Sequence, residues 1–254
     1  MAKLSTDPYK GVRDLYPEDM AIENYIFGIW RKVAERYSYL EYGASLLEPT
    51  EIYTEKSGAE IVNEQTFTFK DRGDRSVTLR PEMTPTTARM IAARRKSLKF
   101  PLRWFSIPNL FRYERPQRGR RREHWQLNCD LVGSVGIDAD KEIISLAYAI
   151  MKEFGASEKD FEVRINNADI NNFKDIGPNI VSDPSLARGQ TYYTGMVFEI
   201  FDTNKENTRA LAGGGRYDNL LELFEVEPVP AVGFGMGNIA LRDFLETHKL
   251  KPYA

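Results

Sequence analysis

The stretch WQLNCDL, Trp125–Leu131, constrains this chain more than any other. Extended, it places Trp125, Leu127, Cys129 and Leu131 on one side and Gln126, Asn128 and Asp130 on the other. A slip of one residue would bury the polar set, so the register of this strand is tightly specified. Such a strand belongs in a sheet with an apolar back and a polar front. A solvated front usually carries Lys, Glu and Thr, and Gln-Asn-Asp is an unusual substitute. Directly upstream, FRYERPQRGRRRE brings five arginines between Arg115 and Arg122. Pro108, Leu110, Arg112 and Glu114 share one face of the strand that leads into this loop. The pattern predicts an antiparallel hairpin, apolar behind and polar in front. Two interpretations stay open from these residues alone. One is a solvated sheet face with a basic loop. The other is a polar pocket floor under arginines whose planar forks pair oxyanions bidentately.

The rest of the chain sets the frame. With 254 residues, 42% of them hydrophobic and 28% charged, the composition fits a soluble globular protein. The formal net charge of -2 excludes wholesale polyanion binding but not a local anion site. No apolar run has membrane-spanning length, and MAKLSTDPYKG has no secretory core, so a cytoplasmic protein with no membrane partner is expected. A lone Cys129 allows no internal disulfide. Cys129, His124 and His248 cannot fill a zinc site, whereas plentiful carboxylates leave hard-cation sites open; no protein side chain is assigned to a metal.

Apolar spacing predicts helices over 18–38 and 139–154, the second ending at Gly155. Strands are expected over 74–82, 161–166, 194–202 and 232–237. In the first of these, Thr78, Arg80 and Glu82 share a face. Thr84 is expected as the N-cap of the next helix, with Pro85 at its first position. GGGRYD, 213–218, reads as a turn, NLLELF as a short helix, and IALRDFLETH as the last helix. Asn167–Pro184 reads as a loop. Helices and strands mix without a βαβ repeat, which favours α+β with a largely antiparallel sheet.

Three further features carry chemistry. Gly233, Gly235 and Gly237 alternate in VGFGMG and strip one strand face of side chains, for close backbone packing or for a flat ligand. ARGQTYYTG, 187–195, sets Arg188 beside Tyr192 and Tyr193, of which an extended chain would aim only one into a pocket. Glu82 precedes a helix N-terminus, where a carboxylate is electrostatically favoured. No Walker loop, GxGxxG or GxSxG is present, so phosphate handling here must use arginine side chains.

FRYERPQRGRRREHWQ resembles motif 2 of class II aminoacyl-tRNA synthetases, in the FRxERPQxGRxRxxxQ form of the histidyl-tRNA synthetases. GVRDLYPEDM, TLRPEMTPTTAR, AGGGRYDNL, AVGFGMG and ARGQTYYTG resemble segments of the same family, in its order, from Tyr9 to Leu245. The resemblance implies the class II synthetase core, a mainly antiparallel sheet flanked by helices, filling residues 1–254 as one catalytic domain. It implies that ATP and Mg²⁺ serve to activate L-histidine as its adenylate, ahead of transfer to tRNA(His). Arg112 would contact the α-phosphate and stabilise charge, with Arg188 approaching from the opposite side. Glu114 would meet the adenine end, Arg120 the γ-phosphate, and Gly235 and Gly237 the nucleotide. Glu82, Thr84 and Gln126 would hold the α-amino group. Asp130 and Tyr193 would hydrogen-bond the imidazole, with Arg188 and Tyr192 in the same histidine site. A homodimer is the family expectation.

The chain departs from that family at several places. Residues 168–187 stand where the family has an insertion domain, and a core without the anticodon-binding domain is expected, with weak tRNA charging. Ala240 stands where motif 3 has an arginine, and Arg242 lies roughly 200° around the helix from it. Ser45 replaces a motif 1 proline, Gln190-Thr191 replaces Leu-Asp, and Asp130 replaces the commoner Glu. Two alternatives accompany the enzyme reading. One is a non-catalytic histidine-sensing regulatory paralogue of the ATP phosphoribosyltransferase type. The other is an engineered ligand-binding scaffold built on the synthetase core.

Overall fold

The computed structural model describes residues 4–54, 65–115, 117–166, 169–187 and 191–253. In chain order its elements are α1 (Pro17–Arg36), β1 (Leu40–Glu41), β2 (Leu47–Pro49), α2 (Glu51–Thr54), β3 (Phe67–Lys70), β4 (Ser76–Leu79), α3 (Thr84–Arg94), β5 (Leu102–Ser106) and β6 (Asn109–Phe111). There follow β7 (Glu123–Val132), α4 (Ile137–Glu153), β8 (Phe161–Ile165), β9 (Ile180–Ser182), β10 (Val197–Asp202), β11 (Ala212–Arg216), β12 (Ala231–Gly237) and α5 (Asn238–Thr247).

The alternation in β7 has the predicted consequence. Leu127, Cys129 and Leu131 are fully buried in the main core. Ile26, Trp30 and Val33 of α1 join them there, with Ile143, Ala147 and Ile150 of α4 and Leu241 and Phe244 of α5. The three helices thus cover the back of the sheet, and burying these stripes supplies the main stabilisation. Among the described residues the large sheet runs β1-β5-β7-β12-β11-β10-β8-β9, with β6 pairing the start of β7. The pairings β1·β5 and β8·β9 are parallel; the others in this sheet are antiparallel. A small antiparallel sheet, β2-β4-β3, stands beside it. The expected α+β class, with a large sheet flanked by helices, is what the chain adopts.

Buried Arg80 links the two sheets. Its Nε donates to the carbonyl of Asn109 at 3.0 Å, and its Nη1 to those of Ala44 and Ser45 at 2.8 and 3.2 Å. Burial pulls its pKa down.

Four expectations need correction. GGG is not a turn: Gly213 and Gly215 lie in β11, directly opposite Gly235 and Gly233 of β12. Three successive glycines offer no side-chain periodicity to read, and here they serve close packing. A Cβ on Gly214 would strike the carbonyl of Gly233. Asn167–Pro184 is not simply a loop, since it holds a 3-10 turn, Ile170–Phe173, and strand β9. Phe173 and Ile180 are buried, and Asn179 accepts from Tyr148 Oη at 2.9 Å and donates to the Phe161 carbonyl at 2.7 Å. Thr84 is the first residue of α3 rather than its cap, and Met83 precedes it without a side-chain cap bond. The hairpin is split, because β6 pairs only Glu123–Trp125 while β5 takes Asn128–Val132. Gly155, by contrast, follows α4 with φ +91, the left-handed conformation that ends a helix.

Candidate active site

Gln126, Asn128 and Asp130 face forward on β7, opposite Gly237, Gly235 and Gly233 of β12. Gly213 and Gly215 of β11 extend the same bare face. The glycines are matched to the polar row. A Cβ on Gly233 would lie 2.5 Å from Asp130 Oδ1, and one on Gly235 would lie 2.8 Å from Gln126 Cδ. The two side chains therefore lean across β12, and the bareness of that strand makes room for them. Gln126 Nε2 donates to Asn128 Oδ1 at 2.6 Å, and Asn128 Nδ2 donates to the Gln126 carbonyl at 3.1 Å. This pair fixes which way the Gln126 amide faces.

Two cavities open on this floor. The smaller, about 90 Å³, is lined by Glu82, Thr84, Gln126, Asp130, Tyr192 and Tyr193, with Arg112 at its border. Tyr192 donates to Glu82 Oε2 at 2.9 Å and reaches Thr84 Oγ1 at 3.4 Å. At the other end the Tyr217 hydroxyl donates to Asp130 Oδ1. Asp130 is buried, and burial pushes its pKa up to about 6 against the lowering effect of the Tyr217 hydrogen bond. The Tyr217 phenol is pushed well above its ordinary value by burial and by Asp130.

The larger cavity, about 360 Å³, is lined by Arg112, Glu114, Arg120, Arg121, Gly235 and Gly237, together with Arg209, Glu199 and Ala240. Arg112 and Gln126 line both cavities. Arg112 Nε donates to the Pro81 carbonyl at 2.9 Å, which holds the guanidinium at the junction. Arg120 Nε lies 2.9 Å from Glu114 Oε2, close enough for an ion pair, yet that buried oxygen receives no aligned hydrogen bond. His124 is held neutral, its pKa pushed down to about 3 by burial and then by Arg112. Ala240 presents no charge to this cavity. Arg242 is turned away and tied to Asp19 at 2.7 Å and to Glu23 at 3.4 Å.

Every described residue that the sequence singled out for the site therefore lines one of the two cavities. Arg188 lies outside the described residues, as does Gln190. One detail differs from expectation. Tyr192 and Tyr193 both line the smaller cavity, with ring centroids 4.9 Å apart, because the chain turns at Thr191–Tyr192 and is not a regular strand there. The arginine run also divides. Arg120 and Arg121 line the larger cavity, whereas buried Arg122 holds Tyr9 Oη and the Lys10 carbonyl at 3.1 Å each and stacks on Tyr113. Tyr217 and Arg209 escaped the sequence reading. Tyr217 carried a faint signal as part of GGGRYD, while Arg209 carried none.

Comparison with known proteins gives the lineage. The sequence model of the histidyl-tRNA synthetase family matches residues 11–173 and 170–241. Histidine–tRNA ligase of Leptospira biflexa is 39% identical over 333 aligned positions, covering 98% of this chain and 76% of that protein. The Thermoplasma volcanium ligase is 36% identical, covering 96% and 76%. Among solved structures, apo histidyl-tRNA synthetase of S. aureus superposes with TM-score 0.81 at 28% identity, covering 99% of this chain and 72% of that one. A Bacillus halodurans protein described as an ATP phosphoribosyltransferase regulatory subunit/histidyl-tRNA synthetase shares the fold, with TM-score 0.82 at 22% identity over 96% and 84%. The chain belongs to the histidyl-tRNA synthetase family.

Proposed function

We propose that this chain is a catalytic core that activates L-histidine with ATP. The observation that carries the reading is the junction at Arg112, which borders both a small cavity with polar groups at its two ends and a larger arginine-lined one. Glu82, Thr84 and Gln126 form one end of the small cavity and suit an ammonium group. Asp130 and Tyr193 suit an imidazole, which in its neutral form presents one donor and one acceptor. Tyr217 holds the Asp130 carboxylate in place for this. Leaving these buried groups unpaired against another amino acid would give strong discrimination.

In the larger cavity, the bare strand of Gly235 and Gly237 provides a flat bed for a nucleotide. The unsatisfied Glu114 Oε2 fits an amine donor such as that of adenine. Entry of the nucleotide would separate Arg120 from Glu114 and free its fork for the γ-phosphate. Mg²⁺ carried in with the nucleotide would supply neutralisation of the phosphate charge, and no side chain of this chain is assigned to hold it. The histidine carboxylate attacks the α-phosphorus in line, an oxygen–phosphorus bond forms, and the bond to the leaving pyrophosphate breaks. Arg112 stabilises the charge that develops, a role the family resemblance extends to Arg188. The protein's part is positioning and neutralisation, and no side chain need accept a proton.

Passage of the adenylate to tRNA(His) is proposed only as a weak activity. The Leptospira alignment spans 333 positions against a chain of 254 residues, which supports a shortened connection in place of an insertion domain. Here 169–187 folds as a compact turn and strand. A cytoplasmic homodimer is proposed as well. Leu47 and Phe69 on the small sheet, and Leu40 on β1 at the end of the large one, are exposed apolar side chains suited to it. The described residues include no helix long and apolar enough to cross a membrane.

The test is histidine-dependent exchange of labelled pyrophosphate into ATP. The reading predicts exchange with histidine and background with other amino acids. Histidine binding without any exchange would instead favour the histidine-sensing alternative, for which Ala240 is the supporting observation.

A further inference from the structure

Among the described residues, two arginines lining the larger cavity make no hydrogen bond or ion pair: exposed Arg121, whose charge acts on Asp243, and the less exposed Arg209. Arg120 pairs with Glu114, and Arg112 is held by the Pro81 carbonyl. Arg209 lines the same cavity and, among the described residues, makes no hydrogen bond or ion pair. It rises from the connection between β10 and β11. That connection is braced on both sides of it. Upstream, Asn207 Nδ2 donates to Asp202 Oδ2 at 2.7 Å and to Thr247 Oγ1 at 3.1 Å. Downstream, Leu211 N donates to the Ile200 carbonyl at 2.7 Å. Its stem packs on the loop of β6 and β7 at Gly119, whose φ is +75 and where a Cβ would lie 3.1 Å from Arg209 Cγ. Arg209 and Ala240 share the wall of the large cavity and of a smaller recess beside it.

From this geometry we infer that Arg209 binds the terminal phosphates of the nucleotide, beside Ala240 and opposite Arg120. The inference rests on the adenylation reading above, and it adds a residue to it. A guanidinium without a partner, presented from a braced loop into an arginine-lined cavity, is suited to a polyphosphate oxyanion. It would supply from β10–β11 the positive charge that position 240 of α5 does not. The chain would then grip the triphosphate from two separate elements, the Arg120 loop and the Arg209 loop. Gly119 favours this placement, because a Cβ there would crowd the Arg209 stem and require it to shift by a few tenths of an ångström.

Calorimetric titration of the full chain with ATP and, separately, with AMP tests this. The two ligands differ in the phosphates assigned to Arg209. Wild type should bind ATP more tightly than AMP. Arg209→Ala should weaken ATP by about tenfold or more, the size of one charge-assisted contact, and leave AMP unchanged. Arg209→Lys should recover part of the loss, and adding Ala240→Arg to Arg209→Ala should recover more. An unchanged ATP preference in Arg209→Ala, or a wild type that does not distinguish ATP from AMP, would overturn the inference. Pyrophosphate exchange run on the same samples separates the two claims. Exchange with an unaltered ATP affinity in Arg209→Ala removes the role of Arg209 alone. ATP binding that depends on Arg209, without exchange in wild type, removes the adenylation reading alone.

Discussion

Tyr217 donates its hydroxyl to the buried carboxylate of Asp130 at the closed end of the smaller cavity. The two residues are 87 positions apart and meet because β11 and β7 flank β12 in the sheet. This bond fixes one carboxylate oxygen and leaves the other for a ligand. It also offsets only part of the cost of burying the charge.

That cost has a measurable sign. Asp130 titrates at about 6 in the folded chain against an ordinary 3.8. Between those values the native state holds a proton that the unfolded state has lost, so stability falls as pH rises through this window. Asp130→Asn removes the titration. Relative to wild type, its unfolding free energy should rise by roughly 2 kcal/mol between about pH 4 and about pH 7.5. Urea unfolding at the two pH values measures it. Parallel curves for the two proteins would show that Asp130 is not desolvated as described.

Two glycines in adjacent strands should behave oppositely. A Cβ on Gly214 meets the Gly233 backbone, which cannot move without breaking the β11–β12 pairing. Gly214→Ala should therefore cost about 1–3 kcal/mol or more in stability. A Cβ on Gly235 meets the end of the Gln126 side chain, which can swing away. Gly235→Ala should fold with a stability loss under about 1 kcal/mol and bind histidine more weakly. Thermal melts and histidine titrations of both variants check the contrast.

The arginine of GGGRYD is structural. Arg216 Nε donates to Asp140 Oδ1 at 3.0 Å, its Nη2 to the Gly136 carbonyl at 3.1 Å, and its Nη1 pairs with Asp218 at 3.3 Å. This largely buried fork ties the start of α4 to β11. Arg216→Ala should lose about 3–5 kcal/mol, because it strands the Asp140 carboxylate. Arg216→Lys should recover little, since an ammonium cannot span these partners. Chemical denaturation gives both values. A neutral effect would mean that the fork contributes nothing.

Arg242 should prove irrelevant to nucleotide. It is held by Asp19 and Glu23, and its Nε donates to Tyr253 Oη at 2.8 Å. Arg242→Ala should lower the melting temperature and leave ATP affinity within a factor of about two of wild type. A large loss of ATP affinity would place this side chain in the site after all.

How much of this the sequence made legible follows from the range of each interaction. The face of β7 and the stripes of α1 and α4 repeat within a few residues, so periodicity alone exposes them. The site residues of motif 2 and of TLRPE could be named because recognisable segments carry them. Arg209 could not, since its place depends on how the β10–β11 connection folds back over Gly119. Tyr217 needed the strand order, which is a property of the whole sheet. The GGG run was misleading because glycine marks turns and close packing alike. An extended chain would alternate Tyr192 and Tyr193, whereas the turn at Thr191–Tyr192 brings both rings into one cavity. The arginine run looked uniform in sequence, yet Arg122 is buried structure and Arg120 is a pocket wall.

The most direct test of the account is a crystal structure of the chain with histidine and a non-hydrolysable ATP analogue. The account predicts the imidazole against Asp130 and Tyr193, the ammonium at Glu82 and Gln126, and the α-phosphate beside Arg112 where the two cavities meet. Histidine bound outside the smaller cavity, or its carboxylate turned away from Arg112, would contradict it.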